Sequence, residues 1–200
     1  MKIPKTIHQI WCGDKPKPEN WMRTWKEKNP GWKYILWDEE MIRNLPLKNV
    51  DLFNYYKEKN RFHGMADVAR IEIVLNEGGV YIDADIECLE PIDELMDCNF
   101  FAVETNTKGR ITNSVIGAEK GHAILKEYVE KMGVADQVEP CWNTIGAPMF
   151  TQAINKLKTD KDIILPPYTF FPEDRLGTIK YKGKDKVFAR HYWGTTKKLY

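Results

Sequence analysis

Two carboxylates one residue apart, Asp83 and Asp85, close the apolar run Gly79-Val-Tyr-Ile, which itself follows Asn76-Glu-Gly. In an extended chain, residues i and i+2 project to the same side, so this spacing predicts two acids aimed at one point. A hard divalent cation such as Mg²⁺ or Mn²⁺ takes carboxylate oxygens, keeps some waters and fills its shell with phosphate oxygens. The pair therefore suits a metal bound to a diphosphate, where the metal would stabilise charge on a departing phosphate. Like charges this close cost stability unless a cation compensates them. An Asp-x-Asp alone is common, and two ordinary turn carboxylates are the other reading.

A second pair precedes it by one element. Asp67 and Arg70 stand at i and i+3 in Met65-Ala-Asp-Val-Ala-Arg-Ile-Glu-Ile-Val-Leu75, a spacing that shares one helix face. Their neighbours are nearly all apolar, so the helix is expected to be buried on most sides. An acid and a base there form either a structural ion pair or a surface for a polar ligand such as a sugar ring. Trp21, Trp25 and Trp32 read as structural, because tryptophan mostly packs in or near cores. His8 and His63 read as structural polar residues.

The elements that must position these residues follow from periodicity and punctuation. Strands are expected over Thr6 to Trp11, Lys33 to Trp37, Val80 to Asp83, Phe100 to Glu104, Ser114 to Gly117, Ile163 to Leu165 and Val187 to His191. Helices are expected over Glu19 to Lys28, Arg61 to Asn76 (stopped by Gly78-Gly79), Glu119 to Met132 and Ala147 to Lys156, the last with Pro148 in its first turn. The charge runs Lys156 to Asp162 and Lys180 to Lys186 read as solvated loops. Alternating strands and helices predict an α/β fold with a mostly parallel central sheet and ligands beyond the carboxyl ends of the strands.

The chain has 200 residues, 42% of them hydrophobic, which fits one domain spanning 1–200. Thirty Lys and Arg balance 29 Asp and Glu to give a net charge of +1, too little positive field for a nucleic-acid partner. No signal-peptide core builds up in Met1-Lys-Ile-Pro-Lys-Thr-Ile-His-Gln9, and no apolar run reaches the ~18 residues of a membrane span. Peripheral contact with a membrane stays open. The four cysteines lack metal-site spacing and read as free thiols in a reducing cytoplasm.

With these residues in place, the chain resembles the DXD-motif sugar-transferring glycosyltransferases, a family typified by initiating α-1,6-mannosyltransferase, capsular polysaccharide transferases and, more distantly, the clostridial glucosylating toxins. Four blocks carry the resemblance: Ile3-Pro-Lys-Thr-Ile-His-Gln-Ile-Trp-Cys-Gly13, Ala66-Asp-Val-Ala-Arg70, Leu75-Asn-Glu-Gly-Gly-Val-Tyr-Ile-Asp-Ala-Asp85 and His191-Tyr-Trp193. The resemblance implies a GT-A type, Rossmann-like nucleotide-sugar-binding fold. It also implies a UDP-sugar or GDP-sugar donor, Mn²⁺ or Mg²⁺, a glycan or glycolipid acceptor, and transfer with retention.

Carried over residue by residue, the resemblance makes Trp11 the aromatic that stacks on the nucleotide base, with Gln9 and Ile10 beside it. Asp67 and Arg70 become contacts to the donor sugar, and Asp83 a contact to ribose or sugar, with Ala84 between the two acids. Asp85 becomes the direct metal ligand; Asp83 is a ligand either directly or at one remove. His191 and Trp193 resemble a C-terminal pair that closes over the diphosphate, His191 completing the metal shell, although relatives often have two histidines where this chain has Arg190-His191. Asn113 and the turn Trp142-Asn-Thr-Ile-Gly-Ala-Pro148 resemble positions on the donor and acceptor side, and His122 a helix start.

Catalysis in that family rests on electrostatic stabilisation of the leaving nucleoside diphosphate. Retention through a carboxylate nucleophile would follow retaining glycosidases, but no residue announces that role, and a front-face route is what the resemblance implies. Two rivals stay open. A haloacid-dehalogenase-like phosphohydrolase also sets Asp-x-Asp after a strand, but with Thr or Val where Glu87 stands here and near the N-terminus rather than mid-chain. A non-catalytic nucleotide-sugar or carbohydrate-binding module could use the same scaffold.

Overall fold

The apolar and β-branched runs of the first 40 residues make two strands, β1 (Thr6–Ile10) and β2 (Lys33–Trp37), joined in parallel through helix α1 (Glu19–Lys28). The computed structural model describes residues 2–135 and 138–199. After β2 come α2 (Glu39–Arg43), α3 (Val50–Glu58), α4 (Phe62–Glu77), β3 (Gly79–Ile82), β4 (Ile86–Cys88), β5 (Phe100–Glu104) and β6 (Ile111–Ala118). The remainder is α5 (Ala123–Gly133), α6 (Ala147–Leu157), β7 (Asp162–Leu165), β8 (Ala189–His191) and α7 (Gly194–Lys197).

Among the described residues the main sheet runs β2-β1-β3-β6-β5-β7, with β6 alone opposed to the other strands. It is mostly parallel, as expected. Side chains alternate across it, as a pleat requires. Tyr81, Phe100, Ala102 and Ile116 join the core under α3 to α6, while Val80, Ile82, Phe101, Val103 and Val115 join the opposite core, which contains Trp25 of α1. A two-stranded antiparallel ribbon, β4 with β8, pairs Ile86 with His191 and Cys88 with Ala189. No helix among the described residues is long and apolar enough to cross a membrane.

Gly79 enters β3 at φ +99°, and a Cβ there would lie 2.6 Å from the Thr6 carbonyl oxygen and 2.9 Å from His8 Nε2. A side chain fits neither the dihedral nor the space. His8 supports this turn: it is fully buried, accepts from the Trp37 indole at 3.1 Å and bonds the Gly78 carbonyl at 2.9 Å. One ring nitrogen accepts and the other donates, so the ring is neutral; burial pushes its pKa down to about 4.

Three expectations are corrected. β3 stops at Ile82, and Asp83 begins a turn closed by Ile86 N–H to Asp83 C=O at 3.1 Å, so the two aspartates are gathered by a turn and not by extended chain. α5 starts at Ala123, four residues later than expected, because Gly121 adopts φ +76° and the His122 ring caps the helix through Ile124 N–H. Asp162, read as part of a solvated run, is buried and bonds His122 Nε2 at 3.1 Å.

Helix α3 is absent from the sequence expectations. Its start is capped from another element: Glu72 of α4 accepts the N–H groups of Lys48 (2.5 Å) and Asn49 (2.9 Å). Such a tertiary cap leaves no local sequence signal.

Candidate active site

Beyond the carboxyl end of β3 lies a cavity of about 470 Å³, whose lining includes Asp67, Arg70, Asp83, Asp85, Asn113, His191 and Trp193. Seven residues singled out in the sequence thus meet in one place. Arg70, itself buried, is the centre of the floor. Its guanidinium lies 3.1 Å from Asp83, 3.5 Å from Asp67 and 4.8 Å above the Tyr81 ring, and donates to the carbonyls of Asn113 and Ala66 at 3.1 Å each. Burial opposes its charge, but the Asp83 and Asp67 carboxylates outweigh burial and hold its pKa well above the ordinary arginine value. Asn113 donates to Asp67 at 2.8 Å, and the Tyr81 hydroxyl donates to Asp83 at 2.8 Å. Asp67 and Arg70 thus form an ion pair, and both line the cavity.

Asp83 and Asp85 diverge electrically. Burial raises the Asp83 carboxyl above the usual range against the pull of Arg70. Burial also acts on Asp85, but His191 and the Gly194 N–H prevail and hold its carboxyl below that range. One Asp85 oxygen meets His191 Nε2 at 3.0 Å, and the other accepts the Gly194 N–H at 2.7 Å. The β4–β8 ribbon makes this possible by laying His191 against Ile86.

Ligand atoms of Asp83, Asp85 and His191 all lie within 4.8 Å of one another. Two polar atoms beside them, His191 Nδ1 and Trp193 Nε1, are buried without a partner among the described residues. Trp193 also adopts φ +59°, the left-handed region that bulky residues avoid. Orphaned polar groups and backbone strain gather where a ligand completes a site. Two carboxylates and an imidazole are a donor set that Mn²⁺ or Mg²⁺ accepts, so these residues fit a divalent cation.

Other expected donor contacts lie elsewhere. Gln9 is fully buried behind the floor, donating to the Asp83 carbonyl (3.2 Å) and accepting from Tyr34 (2.6 Å). Ile10 and Ala84 are buried and do not line the cavity. Trp11 lines a separate groove with Phe62 and Asp38, its indole bonded to the Lys15 carbonyl. Conversely, His63, read as structural, lines the cavity with its ring 5.8 Å from that of Trp142, which lines it too. Thr112, Ser114, Arg175 and Thr196 also line it without having been singled out. Alternation along β6 puts Thr112 and Ser114 on the face opposite to Asn113, so adjacency to Asn113 could not have flagged them, and nothing local marks Arg175 or Thr196.

The family described as "Glycosyltransferase sugar-binding region containing DXD motif" matches residues 17–102, which includes Asp67, Arg70, Asp83 and Asp85. Inositol phosphoceramide mannosyltransferase 3 of Schizosaccharomyces pombe is 32% identical over 140 residues, 65% of this chain and 37% of that protein. A glycosyltransferase of Acanthamoeba polyphaga mimivirus is 29% identical over 168 residues, 77% of this chain and 65% of the viral protein. The chain thus spans little more than a third of the yeast relative. The solved structure titled "PaToxG Glycosyltransferase" superposes with a TM-score of 0.64 at 16% identity, covering 77% of this chain and 69% of that one, and shares the fold, an α/β sandwich of GT-A type. Over residues 17–102 the chain is thus similar to the family of glycosyltransferase sugar-binding regions containing a DXD motif, and both acidic motifs within that match converge on one cavity.

Proposed function

We propose that this chain transfers a hexose from a UDP-sugar or GDP-sugar to a hydroxyl acceptor, with retention and with Mn²⁺ or Mg²⁺ held by Asp85, His191 and, directly or at one remove, Asp83. The observation that carries this reading is the convergence of those three residues, within 4.8 Å, beside the Asp67–Arg70–Asn113 floor. When bound, the cation supplies charge neutralisation of the leaving diphosphate.

The chain's own residues do the positioning. Asp67, held by the Asn113 amide at 2.8 Å, presents a fixed acceptor to sugar hydroxyls, while the second Asn113 N–H goes to the Tyr128 hydroxyl. Asp67 and Asp83 are both engaged by Arg70, so neither stands free as a carbohydrate nucleophile. That supports a front-face route, in which the acceptor hydroxyl gives its proton to the departing phosphate. The same engagement of Asp83 weighs against a phosphohydrolase that would use it as nucleophile. The free thiols of Cys12, Cys88, Cys98 and Cys141 agree with action in the cytoplasm, which is part of this proposal.

The test is release of nucleoside diphosphate from a panel of UDP- and GDP-sugars with and without Mn²⁺, for the native chain and Asp85→Asn. Metal-dependent release from one donor, reduced about 10²–10³-fold in the variant, is expected. Donor binding with no release from any donor would instead make this a binding module.

A further inference from the structure

A residue outside the cavity lining sets one of the cavity's polar faces. Tyr128 of α5 is fully buried, with its ring stacked on Phe150 of α6 at 5.1 Å between centroids. Its hydroxyl has three partners: the Ile145 carbonyl at 2.5 Å, the Gly146 carbonyl at 3.2 Å and the Asn113 amide nitrogen at 3.3 Å.

Chemistry alone decides which of these groups gives a proton. Carbonyl oxygens only accept, so the single phenolic proton goes to the Ile145–Gly146 pair. Burial, with the Asp67 carboxylate nearby, keeps that proton on the hydroxyl by holding its pKa well above the ordinary tyrosine value. The hydroxyl therefore meets Asn113 with a lone pair, and Asn113 answers with an N–H. The other N–H goes to Asp67, which is paired with Arg70 and also accepts, at 2.8 Å. Both amide protons are thereby spent. What Asn113 offers at the cavity it lines is Oδ1, which has no partner among the described residues. An amide held through one N–H can swivel about that bond; held through two, its plane is set.

The same hydroxyl reaches another part of the lining. Ile145 and Gly146 end a turn that Gly146 N–H closes on the Cys141 carbonyl at 2.8 Å, and a Cβ on Gly146 would lie 2.9 Å from Trp142 Cα. Trp142 and Ala147, on either side of those two carbonyls, line the cavity.

We propose that Tyr128 is a positioning residue for the donor sugar: it fixes the Asn113 amide so that Oδ1 accepts from a sugar hydroxyl, and it holds the Trp142 turn in register with that face. The inference rests on the transfer reading above. A purely structural Tyr128 would have a different signature. Loss of folded protein lowers the active fraction and so kcat, and leaves KM alone, whereas a misplaced sugar contact raises KM.

The experiment joins side-chain amide exchange, read by NMR, to a double-mutant cycle. In the native chain without ligand, the Asn113 Nδ2 protons are expected to exchange with water at least about tenfold more slowly than those of Asn106, which is exposed. Tyr128→Phe should remove most of that protection. Nucleotide release from UDP-glucose, UDP-galactose and GDP-mannose with Mn²⁺ is then followed for the native chain, Tyr128→Phe, Asn113→Ala and the double variant. On the donor that reacts, Tyr128→Phe should raise KM about tenfold, the worth of one hydrogen bond. The same change made in Asn113→Ala should move KM less than about twofold, because the group it positions is gone. Native Asn113 protons that exchange as fast as those of Asn106, a native KM in Tyr128→Phe, or an equal rise in both backgrounds would overturn the proposal. The exchange measurement on the native chain needs neither a variant nor a donor. Fast exchange alongside nucleotide release would therefore sink this proposal alone, and slow exchange with no release from any UDP- or GDP-sugar would sink the transfer reading alone.

Discussion

The floor of the cavity and its wall meet between Asp83 and Asp85, yet their polar groups are satisfied in opposite ways. On the floor, one arginine lies between two carboxylates, and Tyr81, Asn113 and two backbone carbonyls take up further bonds. On the wall, Asp85 draws on His191 and a backbone N–H, while His191 Nδ1 and Trp193 Nε1 are buried with no partner among the described residues and Trp193 is held in a left-handed conformation. The floor is complete without a ligand; the wall is not. Such an arrangement leaves the open hydrogen-bonding valences at the C-terminal strand, beside the candidate metal ligands.

The sharpest way to break the contrast is to remove the floor's cation. Arg70→Leu leaves Asp67 and Asp83 buried and uncompensated, and should cost about 3–5 kcal/mol of unfolding free energy, read by urea denaturation. Asp85→Asn is expected to divide the other way: about 2.7–4 kcal/mol of transition-state stabilisation lost in nucleotide release, with the urea midpoint little changed. Equal stability losses from the two variants would erase the distinction between floor and wall.

A pH titration sharpens it further, because His8 supports the glycine turn that leads into the floor. The folded pKa is about 4 against 6.5 for the free side chain. The unfolded chain therefore takes up this proton first as pH falls. Stability should be intact above pH 6.5, decline by ~3 kcal/mol between 6.5 and 4, and level off below, with the decline reduced in His8→Gln. The smallest effect belongs to the wall. Mn²⁺ at a hundredfold excess over its dissociation constant should add about 2.7 kcal/mol of stability to the native chain and none to Asp85→Asn, measured as a shift in melting temperature.

Legibility differed between the same two regions. The pairing of Asp67 with Arg70 could be read from i, i+3 spacing inside an apolar helix, and the glycine stop followed by a short apolar strand placed Asp83 at a sheet end. The wall was visible as a resemblance of His191-Tyr-Trp193 to a family block, not as a contact. Gln9 and Ile10 were set beside Trp11 by the resemblance; the structure turns Gln9 behind the floor and Ile10 into the core, an orientation that adjacency to a strand end does not record. His63 and Arg175 carried no local signal at all.

The sequence by itself determined the strand-helix alternation, the glycine turn and the two acidic pairs, since each depends on residues within a turn or two of one another. Tertiary structure alone decided that Asp85 meets His191 across 106 positions, that Glu72 caps a helix it does not belong to, and that the 173–180 hairpin carries Arg175 to the cavity. Such contacts are fixed by which buried groups find partners once the sheet has closed, and no local periodicity records that choice.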